Sequence, residues 1–154
     1  MFMKGTLILS IKWDKRFLKM AEFVSSWSKD PSTKVGVIVV RNRTVIAQGY
    51  NGFPRGILDT TTRLDDRPTK YKYIVHAEMN AIYNAAENGV SLKGSTVYVV
   101  GLPVCRECAK GLIQAGVSRI VTPKQDIPGI WQMSVADSTL MFEEVGIKWD
   151  WIKY

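Results

Sequence analysis

The sequence predicts an α/β fold, a three-layer α/β sandwich in which helices flank a five-stranded mixed sheet with an antiparallel first hairpin. Short β-branched runs alternate with segments of helical period, in the order α-β-β-α-β-α-β-α-β. The chain has 154 residues, enough for one hydrophobic core, and 46% of them are apolar and 23% charged. No repeat or low-complexity tract divides it. We therefore predict a single domain over residues 1–154, with residues 1–11 as an N-terminal extension.

Helical spacing and turn residues define the first three elements. Apolar residues at spacings of four, four and three predict an amphipathic helix over residues 12–28, which Asp30-Pro31 ends. These apolar residues are Trp13, Phe17, Ala21 and Val24. The β-branched runs 35–40 and 44–48 predict two strands, and the polar residues 41–43 between them predict a tight hairpin turn.

Residues 49–74 lack strong periodicity and are rich in glycine, proline, threonine, aspartate and arginine. We predict a loop of roughly 25 residues, which is long for a compact domain, and such loops are usually functional or disordered. The tyrosine and arginine residues in this segment favour a functional loop.

Regular alternation returns at His76. The predicted elements are helices over 76–88, 105–115 and 131–145, and strands over 96–100, 118–122 and 147–152. Gly89, Gly116 and Gly146 follow the three helices, and glycine is a common helix stop. Strands that a helix separates should run parallel, so only the first two strands should form an antiparallel hairpin.

Several classes of protein are excluded by composition. No apolar run approaches the roughly 18–20 residues that cross a bilayer, and the apolar start of the chain lacks a small-residue cleavage site, so we expect neither a membrane span nor a signal peptide. Two cysteines are too few for a disulfide-rich secreted scaffold. We expect a cytoplasmic protein.

The charge of the chain is uneven. Residues 1–75 carry a net charge of +8, whereas residues 76–154 carry −1. A basic half fits an anionic ligand such as a nucleotide, a nucleic acid or an acidic partner. It equally fits a solvated surface that aids solubility, and charge alone does not decide between the two.

The only histidine and both cysteines fall in two short motifs, His76-Ala77-Glu78 and Cys105-Arg106-Glu107-Cys108. One imidazole and two thiolates give Zn²⁺ three protein ligands and leave a fourth position for water, as catalytic zinc requires. Both motifs open predicted helices, and a helix N-terminus favours a thiolate. We predict one zinc ion per chain, held by His76, Cys105 and Cys108.

Glu78 lies two residues from a predicted ligand and is the candidate carrier of protons between water and a leaving group. Each motif alone has another interpretation, because a Cys-x-x-Cys pair also occurs in redox sites and in structural zinc sites. The chain has no further histidine or cysteine to complete a four-ligand structural site. The combination therefore favours a catalytic zinc site with Glu78 as general acid and base.

Five segments resemble the zinc-dependent cytidine and deoxycytidylate deaminase superfamily, and most specifically its deoxycytidylate (dCMP) deaminases. They are residues 28–36, 49–56, 70–75, 76–81 and 105–110. The likeness extends from about residue 13 to residue 150, in the expected order. One position departs from the family pattern, because Val104 separates Pro103 from Cys105.

The resemblance implies a cytidine deaminase-like fold and the hydrolysis of dCMP to dUMP and ammonia, which supplies dUMP for dTMP synthesis. Activated water would attack C4 of the cytosine ring, while Glu78 protonates N3 and then assists the departure of ammonia. The main chain near Ala77 would hold the base, and Asn51 would bond to the deoxyribose hydroxyl. The candidates for the 5′-phosphate are Lys29, Ser32 and Thr33.

The resemblance also implies a homohexamer that dCTP activates and dTTP inhibits. The effector, with Mg²⁺ on its triphosphate, would bind at the glycine-rich loop. The candidate effector residues are Tyr50, Asn51, Gly52, Phe53, Arg55 and Gly56.

Two alternatives share the motifs: a deaminase of tRNA or other nucleic-acid bases, and a bifunctional deaminase of dCMP and dCTP. A zinc-dependent binding module without turnover is a third interpretation, in which Glu78 would be dispensable. The resemblance favours a small-molecule substrate, with no nucleic acid or membrane as partner, and a location in the cytoplasm, or in the host cytoplasm for a viral protein.

Overall fold

The computed structural model describes residues 2–154, with side chains from residue 11 onward. Its helices are α1 (Phe2–Ser25), α2 (Thr61–Asp65), α3 (Arg67–Tyr73), α4 (Ala77–Glu87), α5 (Arg106–Gln114) and α6 (Gln132–Val145), with a 3₁₀ turn at Gly129–Trp131. Its strands are β1 (Gly36–Arg41), β2 (Thr44–Tyr50), β3 (Thr96–Val100), β4 (Arg119–Pro123) and β5 (Lys148–Ile152). The predicted extension over residues 1–11 lies outside the residues with described side chains, apart from Ile11.

The five strands form one sheet in the order β2-β1-β3-β4-β5. β1 is antiparallel to both of its neighbours, whereas β3, β4 and β5 run parallel. One row across the sheet aligns Gln48, Ile38, Tyr98, Val121 and Asp150. The mixed five-stranded sheet and its antiparallel first hairpin are confirmed.

The prediction that only the first two strands pair in the antiparallel direction is wrong, because β1 is also antiparallel to β3. This second pairing arises because the α4 crossover carries the chain from β2 past β1, so that β3 adds on the far side of β1. β3 still runs parallel to β2, as the rule for crossovers requires, but the two strands are not neighbours.

The hairpin between β1 and β2 closes through Asn42 and Arg43, whose φ angles are 52° and 59°. Positive φ at both central residues defines a type I′ turn, whose twist matches that of the flanking strands. The pairing of Arg41 with Thr44 directly before and after these residues agrees with the tight connection predicted at 41–43.

Helices cover both faces of the sheet, which confirms the three layers. Ile38 and Val40 point to the face that α1 covers, whereas Val37 and Val39 point to the face covered by α4, α5 and α6. Because β1 is buried on both sides, its sequence is a continuous β-branched run and does not alternate between apolar and polar residues.

Two glycines let helices approach the sheet closely. A Cβ atom at Gly36 would lie 2.1 Å from the carbonyl oxygen of Ala21 in α1, and one at Gly49 would lie 2.4 Å from the carbonyl oxygen of Ala77 in α4. Gly49 therefore fixes the distance between β2 and the first turn of α4.

The prediction of a loop over residues 49–74 is wrong for residues 61–73, which form α2 and α3. Thr60 and Asp66 start these helices, since each side chain accepts a hydrogen bond from the main-chain N–H three residues on. Helices of five and seven residues are too short to show an apolar period. α1 ends at Ser25 rather than at residue 28, with the Ser25 hydroxyl bonded to a carbonyl of the last turn.

Among residues 2–154, no helix combines the length and the apolar character that crossing a membrane requires.

Candidate metal centre

The imidazole and the two thiols meet at one point. His76 and Cys105 are the residues that precede the first turns of α4 and α5, and Cys108 lies in the first turn of α5. The Nδ1 atom of His76 is 3.4 Å from Sγ of Cys105 and 3.3 Å from Sγ of Cys108. The three atoms all lie within 4.8 Å of one another. Two helices packed side by side thus bring their starts to a common site.

This donor set fits a zinc ion. Ligand atoms of tetrahedral zinc with sulfur and nitrogen ligands stand about 3.5 Å apart, close to the separations of His76 from the two cysteines. Both cysteines are buried and neither forms a disulfide. Neither His76 nor Cys105 uses its side chain to cap its helix, so both side chains are available to a metal.

The pKa values of the two thiols move in opposite directions because one thiol donates a hydrogen bond to the other. A hydrogen bond from the Cys108 thiol is the main cause that lowers the pKa of Cys105, to about 4. The same hydrogen bond raises the pKa of Cys108. The hydrogen bond with Cys105 also raises the pKa of His76. The lowered pKa favours the thiolate form of Cys105, which is the form that binds a metal ion.

Glu78 lies in the first turn of α4 with only 4% of its surface exposed. Burial is the largest cause that raises its pKa to about 7. Its carboxylate is not one of the clustered donor atoms, although it lines the same cavity. A buried carboxyl group with a pKa near 7 both accepts and releases a proton at neutral pH.

A cavity of about 140 Å³ opens from this centre to the surface. Four residues singled out from the sequence for substrate contacts line it, namely Ser32, Thr33, Asn51 and Ala77. Lys29 is not part of its wall: the ammonium group lies 3.0 Å from a carboxylate oxygen of Asp59, and 68% of the side chain is exposed.

The Asn51 amide is largely engaged within the protein. Its Oδ1 accepts a hydrogen bond from the N–H of Val35 at 2.9 Å, and its Nδ2 donates to the carbonyl oxygen of Thr33 at 2.9 Å. Nδ2 also donates to the Asp30 carboxylate at 3.5 Å. A second lone pair on Oδ1 is left for a ligand hydroxyl.

Sequence reasoning missed a buried ion pair in the cavity wall. Nζ of Lys70 lies 3.1 Å from Oδ1 of Asp30, and both side chains are almost fully buried. The same oxygen accepts hydrogen bonds from the main-chain N–H groups of Ser32 and Thr33, at 2.8 and 3.1 Å. The sequence Asp30-Pro31-Ser32 signals this turn, whereas no pattern in the sequence distinguishes Lys70 from a solvated lysine.

The candidate effector residues, apart from Asn51, are not among the residues that line the cavity. Gly52 forms two main-chain hydrogen bonds with Val75, at 3.1 and 2.8 Å, directly before His76. Arg55 donates a hydrogen bond to the side chain of Asn84 in α4. The ring of Tyr50 packs against Trp27, and the ring of Phe53 packs against Tyr73. Gly56 has a φ angle of +83°, which favours glycine at that position.

Val104, which separates Pro103 from Cys105, is anchored within the fold. Val104 is fully buried, and its carbonyl oxygen accepts a hydrogen bond of 2.9 Å from the Ser138 hydroxyl in α6. The preceding Pro103 lines the cavity.

Sequence comparison agrees with this geometry. The family model described as the cytidine and deoxycytidylate deaminase zinc-binding region matches residues 11–124. A protein of Aliivibrio fischeri, described as an uncharacterized deaminase in the luxG 3′ region, is 39% identical over 143 residues, which cover 92% of this chain and 94% of that protein. The deoxycytidylate deaminase of Homo sapiens is 38% identical over 117 residues, and the match covers 72% of this chain but only 64% of the human protein.

The fold also matches solved structures. The crystal structure of dCMP deaminase from the cyanophage S-TIM5, in complex with dCMP and dUMP, superposes with a TM-score of 0.73 at 27% sequence identity. The match covers 90% of this chain and 95% of the cyanophage chain.

Proposed function

The chain belongs to the cytidine and deoxycytidylate deaminase family, and from that membership we propose that it hydrolyses dCMP to dUMP and ammonia. The observation that carries the proposal is the convergence of three zinc-type ligands and one buried carboxyl group, Glu78, on a single cavity. Deoxycytidylate deaminase is the name of the human relative, and the cyanophage relative holds dCMP and dUMP. Both support dCMP as the substrate.

In the proposed mechanism, the residues of the chain position the base and move protons. His76, Cys105 and Cys108 would hold a zinc ion, which would lower the pKa of a bound water to near neutrality. Glu78 takes a proton from the attacking water and passes it to N3 of cytosine. It then takes the remaining proton from the oxygen now bonded to C4 and passes it to the amino group, so that the C4–N bond breaks and ammonia leaves.

The cavity wall supplies the contacts to the rest of the nucleotide. Ala77 is fully buried and lines the cavity between the ligand His76 and Glu78, so the main chain there is close enough to hold the base. Asn51 offers its free lone pair to the sugar hydroxyl. The hydroxyl groups of Ser32 and Thr33, which also line the cavity, are the candidate donors to the 5′-phosphate.

We also propose that dCTP activates and dTTP inhibits the enzyme through the glycine-rich loop. The support is that hydrogen bonds connect this loop to the metal centre. Gly52 is hydrogen-bonded to Val75, the residue before His76, and Arg55 donates a hydrogen bond to Asn84 on the helix that carries Glu78. A ligand that moves the loop would therefore also shift His76 and the helix that carries Glu78. Mg²⁺ on the effector triphosphate remains a prediction from the resemblance.

A homohexamer in the cytoplasm completes the proposal. Its support in the structure is an exposed aromatic cluster at which a second copy would dock. Phe23 packs edge-on against Trp27, which packs edge-on against Tyr50, and all three side chains are exposed. Light scattering of the purified protein tests the oligomer.

A substrate panel tests the activity. We expect zinc-loaded protein to release ammonia from dCMP with a kcat/KM far above that for deoxycytidine, cytidine or dCTP, and no release from tRNA. Equal rates on dCMP and dCTP would identify the bifunctional enzyme instead. Turnover of tRNA without turnover of dCMP would overturn the proposal. Repeating the dCMP assay with dCTP and with dTTP tests the regulation.

A further inference from the structure

Two cations, Arg67 and Lys70, line the cavity that we propose for the substrate, and they differ in how their charges are compensated. Lys70 is buried and forms an ion pair with Asp30 at 3.1 Å. The two opposite charges of Lys70 and Asp30 compensate each other, so the pair as a whole offers a ligand no net charge.

Arg67 has no such partner among the described side chains, residues 11–154. None of their carboxylates lies within ion-pair distance of its guanidinium group, and none of their acceptors bonds to it. The adjacent Asp66 is engaged elsewhere, because its carboxylate caps α3 through the main-chain N–H and the hydroxyl of Thr69. Arg67 is exposed and opens α3, so its side chain is solvated and available at the cavity wall.

Two hydroxyl groups, those of Ser32 and Thr33, line the same cavity as Arg67. Within residues 11–154 no protein acceptor takes their hydroxyl hydrogens. Their main-chain N–H groups are bound to Asp30, which fixes the turn that carries them. Lys70, through the same carboxylate, ties this turn to α3 and hence to Arg67.

We propose that Arg67 binds the 5′-phosphate of the nucleotide and thereby sets the preference for a nucleotide over a nucleoside. This inference rests on the proposed deamination of dCMP. A guanidinium group presents two parallel N–H donors that match two phosphate oxygens, and the hydroxyls of Ser32 and Thr33 add donors to the third. Lys29, which the resemblance suggests for this role, is paired with Asp59 and lies outside the cavity wall.

The test compares dCMP with deoxycytidine, which lacks the phosphate, in Arg67→Gln, Arg67→Lys and Lys72→Gln. Lys72 is the matched control, an exposed cation of the same helix that does not line the cavity. We expect Arg67→Gln to raise KM for dCMP about 10- to 100-fold, the size of one hydrogen bond to a charged group, with little change in kcat. kcat/KM for deoxycytidine should stay unchanged, Arg67→Lys should recover part of the affinity, and Lys72→Gln should match the wild type.

Two results would overturn the inference: an unchanged KM for dCMP in Arg67→Gln, or an equal loss for dCMP and deoxycytidine. A direct measurement separates the inference from the proposed function. Calorimetric titration of wild type and Arg67→Gln with dUMP should show the same 10- to 100-fold weakening, with or without turnover. Absence of ammonia release from dCMP by the wild type would refute the function, and equal affinity of both proteins for dUMP would refute the role of Arg67.

Discussion

The guanidinium group of Arg119 donates two parallel hydrogen bonds of 2.8 Å each to the carboxylate of Asp14, and these bonds connect β4 to α1. Asp14 is only 2% exposed, and it also accepts a hydrogen bond of 2.7 Å from the Tyr98 hydroxyl on β3. A third strand joins through Asp150 on β5, which accepts from Nε of Arg119 at 2.8 Å. This network holds α1 on the sheet, and none of its four residues lines the cavity of the metal centre.

Asp14→Ala should therefore lower stability without lowering kcat/KM. Removing one partner of a buried ion pair costs about 3–5 kcal/mol, and the remaining bond of Arg119 to Asp150 should keep the loss near the lower end of that range. Urea unfolding gives the stability, and the dCMP assay gives the activity. Asp137→Ala, which breaks an exposed pair with Arg106, is the control and should cost about 0–1 kcal/mol.

Alkaline pH should destabilise the protein through Tyr98. Burial is the main cause that raises its pKa in the folded state, and the hydrogen bond to Asp14 adds to it. The folded state thus keeps the proton more tightly than the unfolded chain, whose tyrosines titrate near pH 10. The stabilisation is complete below about pH 10 and is lost as the pH rises further.

Unfolding curves between pH 8 and pH 11.5 measure this slope. Tyr98→Phe should show a shallower decline than the wild type. Tyr154, whose pKa burial raises to about 12, should account for part of the remaining slope, so Tyr154→Phe is the companion variant. Identical slopes in Tyr98→Phe and the wild type would disprove the assignment.

Glu78→Gln should retain zinc and lose turnover. The carboxyl group is not one of the clustered ligand atoms, and its proposed role is to carry protons, so metal content should match the wild type while kcat falls about 10²- to 10⁴-fold. Elemental analysis and the dCMP assay on the same sample check both parts. A variant that loses its zinc, or one that keeps most of its rate, would show that the role of Glu78 is different.

Zinc should stabilise the fold through Cys108. A metal that binds only the native state adds about 4 kcal/mol to the free energy of unfolding when its free concentration is about 1,000 times its Kd. A chelator should therefore lower the Tm of the wild type. Cys108→Ala, which removes one of the three ligands, should start from a lower Tm and respond little to the chelator. An equal chelator effect in both proteins would place the stabilising metal elsewhere.

Gly49→Ala should impair stability and catalysis together. The new Cβ atom would lie 2.4 Å from the carbonyl oxygen of Ala77, so β2 and the start of α4 must separate, at a cost of about 1–3 kcal/mol. That shift displaces the turn that carries Glu78, and kcat should fall as well. Gly129→Ala is the control, because no heavy atom lies within 4 Å of a Cβ built there. If both variants behave alike, close packing at Gly49 is not the cause.

The sequence predicts the metal centre well because its signals are local. His76, Cys105 and Cys108 open or lie near the starts of helices with clear stop residues, so spacing alone brings the side chains to one side of each helix. Glu78 follows from the same helical turn. Neighbouring residues of one helix need no knowledge of the tertiary fold, whereas the meeting of His76 with the two cysteines depends on the packing of α4 beside α5.

The rest of the site depends on contacts between distant parts of the chain. Lys70 and Asp30 are forty residues apart, and only the packing of α3 against the turn before β1 makes them a buried pair. The same packing places Arg67, and not Lys29, at the cavity wall. The pairing of β1 with β3 is missed for a similar reason, because periodicity identifies a strand but not its neighbour.

Position 104 shows how this architecture accommodates change. The side chain of Val104 fills the interior and its carbonyl is secured by Ser138, while the interval from Cys105 to Cys108 stays within one helical turn. A residue other than proline directly ahead of Cys105 is therefore compatible with the close approach of the two thiols to His76. Variation at this position should be tolerated wherever the new side chain is apolar enough for the interior and the main-chain carbonyl group keeps its hydroxyl partner on α6.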